Sequence, residues 1–514
     1  MISHIAILPV IWPLLMGALL LLLQKQGLQT VRAVSIASVS ILTVLAGYLL
    51  NIVNDGEILV YELGNWPPPF GIVLVADRLA AWMLLITALV SAFALLYAIQ
   101  GTDSDGPHFH VLFQLQLFGL NGAFLTGDLF NLFVFFEILL LASYGLLLHG
   151  GGRLRTIAGL HFVIINLVGS TLFLFAVGTL YGLLGTLNMA DLAVKAAGAV
   201  DDDVALIRAA GLLLFAVFAL KAALLPLYLW LPAAYAHTTA PVAALFAIMT
   251  KVGAYSILRV YTLIFGSQAG SVADLIAPWL LPLALATLIA GVLGVLASTH
   301  LRQQIAYLVI ASIGTLLIAF GINTHTSIAA GLFYLPHSTF AAAAFFLLAD
   351  IIATRRSEMS DRFEPGPVIA HHRITGVLFF IAAILIAGLP PLSGFVGKLL
   401  ILQAAIPHAA LPWIMGAMLI TSLLTIIALA RSGSMLFYRA QLPQAPHTAG
   451  GGDGSGSQHI LTPGVSGLAI VICLLSLCVV LTIGAGAVSE FALATANQLL
   501  QPEDYVQSVL GTAR

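Results

Sequence analysis

Long apolar runs separated by short polar stretches dominate the chain. Windows of about 20 apolar residues, the length that crosses a bilayer as a helix, fall near 4–23, 31–53, 78–99, 109–125, 129–148 and 158–183. Others fall near 206–230, 240–264, 274–297, 302–321, 327–353, 376–403, 411–437 and 461–488. The windows are apolar nearly all round, so periodicity does not say which face meets lipid. The pattern predicts an all-α polytopic membrane protein with about 14 transmembrane helices, since one span and its loop take roughly 35 residues. The first run reaches Leu23 without a basic stretch before it or a small-residue cleavage site after it, which predicts a retained helix rather than a signal peptide.

Composition sharpens this picture by exclusion. The chain is 61% hydrophobic and 8% charged, against about a quarter charged in a soluble domain that must hydrate its surface. A soluble enzyme and a disordered chain are excluded. A nucleic-acid binder is excluded as well, because 19 Lys+Arg against 21 Asp+Glu leave no basic surface. Cys473 and Cys478 sit five apart in an apolar run, a spacing that suits buried thiols rather than a metal site or a helix disulfide. Neither a HExxH motif nor a Cys/His cluster occurs, so no metal centre and no cofactor are expected. Gly450–Ser457 reads as a flexible linker; it lacks the GK[ST] ending of a phosphate-binding loop.

Basic loop residues set the orientation. Lys25, Arg32, Arg153, Arg155, Arg302, Arg355, Arg356, Arg362, Arg373, Arg431 and Arg439 fall on one side of the predicted topology. Arg78, Lys195, Arg208 and Arg514 fall on the other. The positive-inside rule then places the first set in the cytoplasm and both termini on the outer face.

Lys221, Lys251, Arg259 and Lys398 remain inside spans, and Glu137 is the one acid deep in a span, with Asp128 and Asp350 near ends. An ionisable group at a helix centre costs ~2.5–3.5 kcal/mol, so Glu137, Lys221, Lys251 and Lys398 together would cost roughly 10 kcal/mol if unrelieved. Hydration, pairing or neutralisation must relieve them, and each describes a polar track within the bundle. A carboxylate holds the proton on a nearby buried lysine and releases it on separation, so a Glu–Lys pair of variable spacing is a proton switch. The plain alternative is a static ion pair that fixes helix positions. Asp128 reads either as a third participant or as an acid favoured at a helix start.

Two of these lysines sit beside interrupted helices. Lys221 precedes Pro226 and Pro232, and Lys398 follows Pro390 and Pro391. Proline frees backbone carbonyls, which in a membrane are tolerated only where protein or water satisfies them; broken helices beside buried charge mark ion pathways. His161 and His337 lie within spans, and a neutral imidazole can relay protons, although it also serves as an ordinary hydrogen-bonded packing residue.

The stretches TGDLFNLFVFFEILLLASYGLL (126–147), FALKAALLPLYLWLPAAYAHTTAPVAALFAIMTKVGAYSILRV (218–260), STHLRQQIAYLVIASIG (298–314) and AGLPPLSGFVGKLLIL (387–402) resemble the D-type subunits of the Mrp/Pha multisubunit monovalent cation/proton antiporters. The likeness runs over roughly residues 100–435 and extends to the antiporter-like membrane subunits of respiratory complex I. It implies two inverted five-helix repeats, each with a broken helix. The chain would then divide into N-terminal helices 1–100, repeats 101–265 and 266–440, the loop 441–460 and a C-terminal helix and tail 461–514. The resemblance also implies that Glu137 and Lys221 form an essential carboxylate–lysine pair, that Lys251 lies on the central hydrated axis, and that Lys398 serves the exit. One position departs: Ala342 stands where the family commonly has lysine, so His337, Ser338, Thr339 and water are the candidates to bridge that gap.

The expected function is proton translocation within a hetero-oligomeric antiporter for Na⁺ or K⁺ in a bacterial inner membrane. Two rivals stand beside it: the proton-pumping subunit of a redox complex, and a membrane scaffold with static charges.

Overall fold

The computed structural model describes residues 3–356, 359–367, 369, 371–439 and 465–511. The glycine-rich segment Gly450–Ser457 and Arg514 lie outside the described residues.

The chain begins with α1 (Leu8–Leu23), α2 (Leu28–Val53), α3 (Arg78–Ala98), α4 (Phe109–Leu125), α5 (Leu129–Leu148) and α6 (Arg153–Leu184). It continues with α7 (Met189–Ala197), α8 (Asp201–Ala222), α9 (Trp230–His237), α10 (Ala240–Phe246) and α11 (Met249–Leu263). Then come α12 (Ala277–Ala297), α13 (Leu301–Ile322), α14 (His325–Arg355), α15 (His372–Ala387), α16 (Ser393–Ala405) and α17 (Leu411–Gly433). The last helices are α18 (Val465–Ile483), α19 (Ala485–Leu500) and α20 (Pro502–Leu510). Among the described residues, 12 helices are long and apolar enough to cross a membrane, and α4, α15 and α16 are shorter apolar helices. The fold is that of a polytopic membrane protein.

It is nearly, but not wholly, helical. β1 (Leu59–Glu62) and β2 (Val73–Ala76) pair antiparallel, with Leu59 opposite Ala76. This hairpin lies between two apolar windows, where a strand pair satisfies the backbone of the short apolar run VLVA. The short α7 and α20 also lie outside the predicted windows.

Side-chain caps set several helix starts by accepting otherwise orphaned N–H groups. Asp77 caps α3 and Asn188 caps α7. Thr324 and Ser327 form a reciprocal capping box on α14. Inside α14, Pro336 cannot donate to the Leu332 carbonyl, and the Trp82 indole donates to it instead at 3.2 Å. The stretch Ala240–Leu263 is wholly buried and α14 almost so, whereas α1, α2, α6 and α17 present broad apolar surfaces outward. The fold thus encloses α11 and α14 within a ring of peripheral helices.

Candidate functional site

Two predicted spans are broken, as their prolines indicated. α8 ends where Ala223 adopts φ 58°, and the Leu224 and Ala223 N–H groups donate back to the carbonyls of Ala219 and Leu220. α15 ends the same way at Gly388, φ 80°, with the Leu389 and Gly388 N–H groups donating to Ile384 and Leu385. Both are Schellman turns, followed by the Pro226 and Pro390-Pro391 segments and then by the second half-helices, α9 and α16. Each break leaves helix-end carbonyls exposed to other donors. Trp230 Nε1 takes that of Leu220 at 3.1 Å. Lys398 Nζ takes those of Ala387 at 2.9 Å and Ile386 at 3.5 Å, and also bonds Ser422 Oγ at 2.9 Å. The Lys398 ammonium therefore sits where the α15 helix dipole favours positive charge.

In the first half, Glu137 on α5 and Lys221 in the last turn of α8 do not form an ion pair within 4.0 Å. α6 stands between them. Ser170 donates its hydroxyl to Glu137 Oε1, and Lys221 Nζ donates to Asn166 Oδ1 at 3.1 Å. Asn166 and Ser170 are four residues apart and so share one face of α6. The Lys221 ammonium also lies 5.8 Å from the centroid of the Phe136 ring, within cation–π range. The sequence reading found the acid and the lysine and missed both bridging residues; their signal was a polar pair at i, i+4, weakened by the other polar residues of α6 such as His161, Thr171 and Thr179.

Lys251 lies on α11, just past the interruption at Ala247–Ile248, and is fully buried. Its Nζ has no hydrogen-bond partner, nor has the neighbouring Thr250 hydroxyl. Gly253 explains how α8 comes so close: a Cβ there would lie 2.4 Å from the Ala222 nitrogen and 2.8 Å from the Lys221 carbonyl carbon.

In the second half, His337 Nδ1 lies 2.9 Å from Ser393 Oγ at the start of α16, and Gly394 leaves room for the imidazole. His337, Ser338, Ala342 and Lys398 line one cavity of about 30 Å³, large enough to hold water. Ala342 thus borders this space with a methyl group alone. Ser338 and Thr339 both donate to the Leu335 carbonyl, and Thr339 is not among the cavity's lining residues. His161 lies exposed on the outer face of α6, away from this track.

The remaining charges near the spans have fixed partners. Asp128 caps α5 by accepting from the Asn131 N–H at 2.8 Å. Arg259 pairs bidentately with Asp77, at 2.6 and 2.7 Å. Asp350 accepts from Arg302 at 2.7 Å and from Tyr97 at 2.9 Å. Cys478 is buried as expected; Cys473 is exposed, because α18 turns that side outward, and both thiols are free. A cavity of about 620 Å³ reaches the first broken helix at Leu229 and Pro232, walled by His237, His300 and Arg302 from the arginine-rich end.

One acid and three lysines within the spans, beside two broken half-helix pairs, define a polytopic membrane protein of transporter architecture. A family profile described as "NADH:quinone oxidoreductase/Mrp antiporter, TM" matches residues 126–425. The chain is 38% identical over 545 aligned positions to the D subunit of a probable K(+)/H(+) antiporter of Rhizobium meliloti (strain 1021), covering 100% of this chain and 98% of that one. It is 36% identical to the D subunit of the Na(+)/H(+) antiporter of Bacillus subtilis (strain 168), covering 99% of each. Its fold is similar to that of a chain in the Mrp complex from Dietzia sp. DQ12-45-1b, with a TM-score of 0.86, 27% identity and 99% of each chain covered. A chain of respiratory complex I from Thermus thermophilus matches with a TM-score of 0.74 and 25% identity over 96% of this chain and 99% of that one. The protein belongs to the NADH:quinone oxidoreductase/Mrp antiporter membrane-subunit family, and within it to the group of D-type antiporter subunits.

Proposed function

We propose that this chain is the proton-translocating subunit of a multisubunit secondary antiporter that exchanges protons for Na⁺ or K⁺, and that it is a transporter subunit rather than an enzyme. The observation that carries the reading is the α6 bridge, in which Ser170 holds Glu137 and Asn166 holds Lys221 one helical turn apart. Such a pair is poised rather than locked. When Glu137 and Lys221 approach, the carboxylate holds the proton on the amine; when they separate, Asn166 remains as the ammonium's acceptor until the proton moves on. Lys251, with no fixed acceptor, lies next along the path. His337, Ser338 and water in the cavity beside Ala342 carry the proton to Lys398 at the second break. The cavity at Leu229 and Pro232 is the cytoplasmic inlet in this scheme.

About fourteen spans, with α8–α9, α10–α11 and α15–α16 each crossing as one, together with the basic loops on one side, support the reading that both termini lie on the outer face of a bacterial inner membrane. The matching Schellman breaks support the division into repeats at 101–265 and 266–440. Other subunits of a hetero-oligomeric complex complete the machine, in keeping with the multisubunit Mrp assembly that contains a similar chain.

The test is Na⁺- and K⁺-dependent proton flux in everted vesicles carrying the complete complex. Glu137→Ala and Lys221→Ala are each expected to abolish exchange while the complex still assembles. Normal exchange by both assembled variants would sink the reading. The likeness to complex I favours a second reading, a proton-pumping subunit of a redox complex; co-purification of quinone- or iron–sulfur-bearing subunits would select it.

A further inference from the structure

One polar feature leaves the path from Glu137 to Lys398 at Lys251. Lys251, Tyr255 and Arg259 recur every four residues on α11 and therefore share one face of a helix that is wholly buried. Thr262 follows three residues later. From Lys251 to Arg259 the helix rises ~12 Å, a substantial part of the ~30 Å hydrocarbon thickness. The Arg259 Nε donates to the Tyr255 hydroxyl at 3.5 Å, and that hydroxyl donates to the Phe124 carbonyl at 2.6 Å. The guanidinium closes on Asp77, itself the cap of α3, and lies between two rings, Tyr255 at 5.6 Å and Tyr505 of α20 at 5.3 Å. Beyond Arg259, Thr262 borders a cavity of about 200 Å³ whose wall also includes Gln268, Asn323 and Glu503. The face thus begins at two unpartnered buried groups, Lys251 and Thr250, and ends at a space roomy enough for water beside a carboxylate.

We propose that this face of α11 is a second, outward branch of the buried track, closed by the Arg259–Asp77 pair and lidded by Tyr505. The inference rests on the proton-translocating reading above. Arg259 is not a carrier, because guanidinium keeps its proton. Its fixed positive charge instead repels protons and metal cations, as arginines do in selective pores. Asp77 neutralises the charge enough for it to remain buried and holds it across the path. Opening requires the guanidinium to leave Asp77, which couples the branch to movement of α3, α11 and the C-terminal α20 together.

The test replaces both charges at once, Asp77→Asn with Arg259→Gln, so that neither is left buried and unpaired. Complete complexes carrying the double variant are reconstituted in vesicles under a pH gradient without Na⁺ or K⁺, and passive proton leak is measured. Leak is expected to rise at least about tenfold over the unmodified complex, equivalent to about 1.4 kcal/mol off the barrier, and to vanish when Lys251→Ala is added. Unchanged leak in assembled complexes, or leak that survives Lys251→Ala, overturns the proposal. If the double variant does not assemble, Tyr505→Ala removes the lid without touching either charge; raised leak there supports the branch and unchanged leak overturns it. Normal antiport by Lys251→Ala alone would instead overturn the underlying reading.

Discussion

Gly253→Ala tests the close approach of α8 and α11 with a single methyl group. A Cβ at this position would lie 2.4 Å from the Ala222 nitrogen, whereas ordinary van der Waals contact begins near 3.4 Å. The two helices must therefore separate by about 1 Å, 3.4 minus 2.4, and the atoms in the way are backbone that cannot rotate aside. Overpacking of this kind costs about 1–3 kcal/mol, too little to prevent folding of a chain with so extensive a core. The displaced segment is the last turn of α8, which carries Lys221. A shift of this turn by about 1 Å misaligns Lys221 Nζ with Asn166 Oδ1, which it meets at 3.1 Å, and weakens or breaks that bond. A hydrogen bond to a charged group is worth about 1.5–3 kcal/mol, so exchange should fall roughly 10- to 100-fold. The assay is recovery of a pH-sensitive dye in everted vesicles after addition of Na⁺ or K⁺, with assembly checked by co-purification. Gly178→Ala and Gly182→Ala on α6, where a Cβ meets open space, serve as matched controls and should leave exchange unchanged. Wild-type exchange by an assembled Gly253→Ala complex would refute the claim that this packing positions Lys221.

Three further predictions concern single contacts. Removing one α6 partner at a time, by Ser170→Ala or Asn166→Leu, should slow exchange and alter its pH profile while assembly is retained; an unchanged profile for both would mean that α6 does not position the pair. Asp128→Asn keeps the cap on α5 and should preserve exchange, whereas Asp128→Ala should cost about 1 kcal/mol of stability, read as a lower Tm; loss of exchange in the Asn variant would make Asp128 a participant. At Asp103, burial alone raises the carboxyl, but hydrogen bonds from Arg32 and His110, with their charges, outweigh it and hold Asp103 at about 2. Its stabilising contribution is therefore full above the ordinary value of 3.8 and lost as pH falls through about 2, so Asp103→Asn should lower the Tm near neutrality and flatten its decline over that acid window. Parallel melting profiles for the two proteins would exclude such a contribution.

The membrane class, the approximate positions of the spans, and the standing of Glu137, Lys221, Lys251 and Lys398 as charges in need of an explanation were all legible in the chain before any fold. That is because hydrocarbon imposes a cost on every charge and a length on every helix, and both are written locally. Proline likewise marked the two breaks, since a missing N–H is a property of one residue. Partners are different, because they come from helices distant in the chain. It took the packed fold to reveal that Asn166 and Ser170 stand between the acid and the lysine, that Arg259 is neutralised by Asp77 from 182 positions away, and that His161 faces outward. Helices that are apolar on every side carry no periodic signal of which face turns inward. Packing supplies that information, through close approaches such as Gly253 against Ala222, and so decides which buried charges share a path.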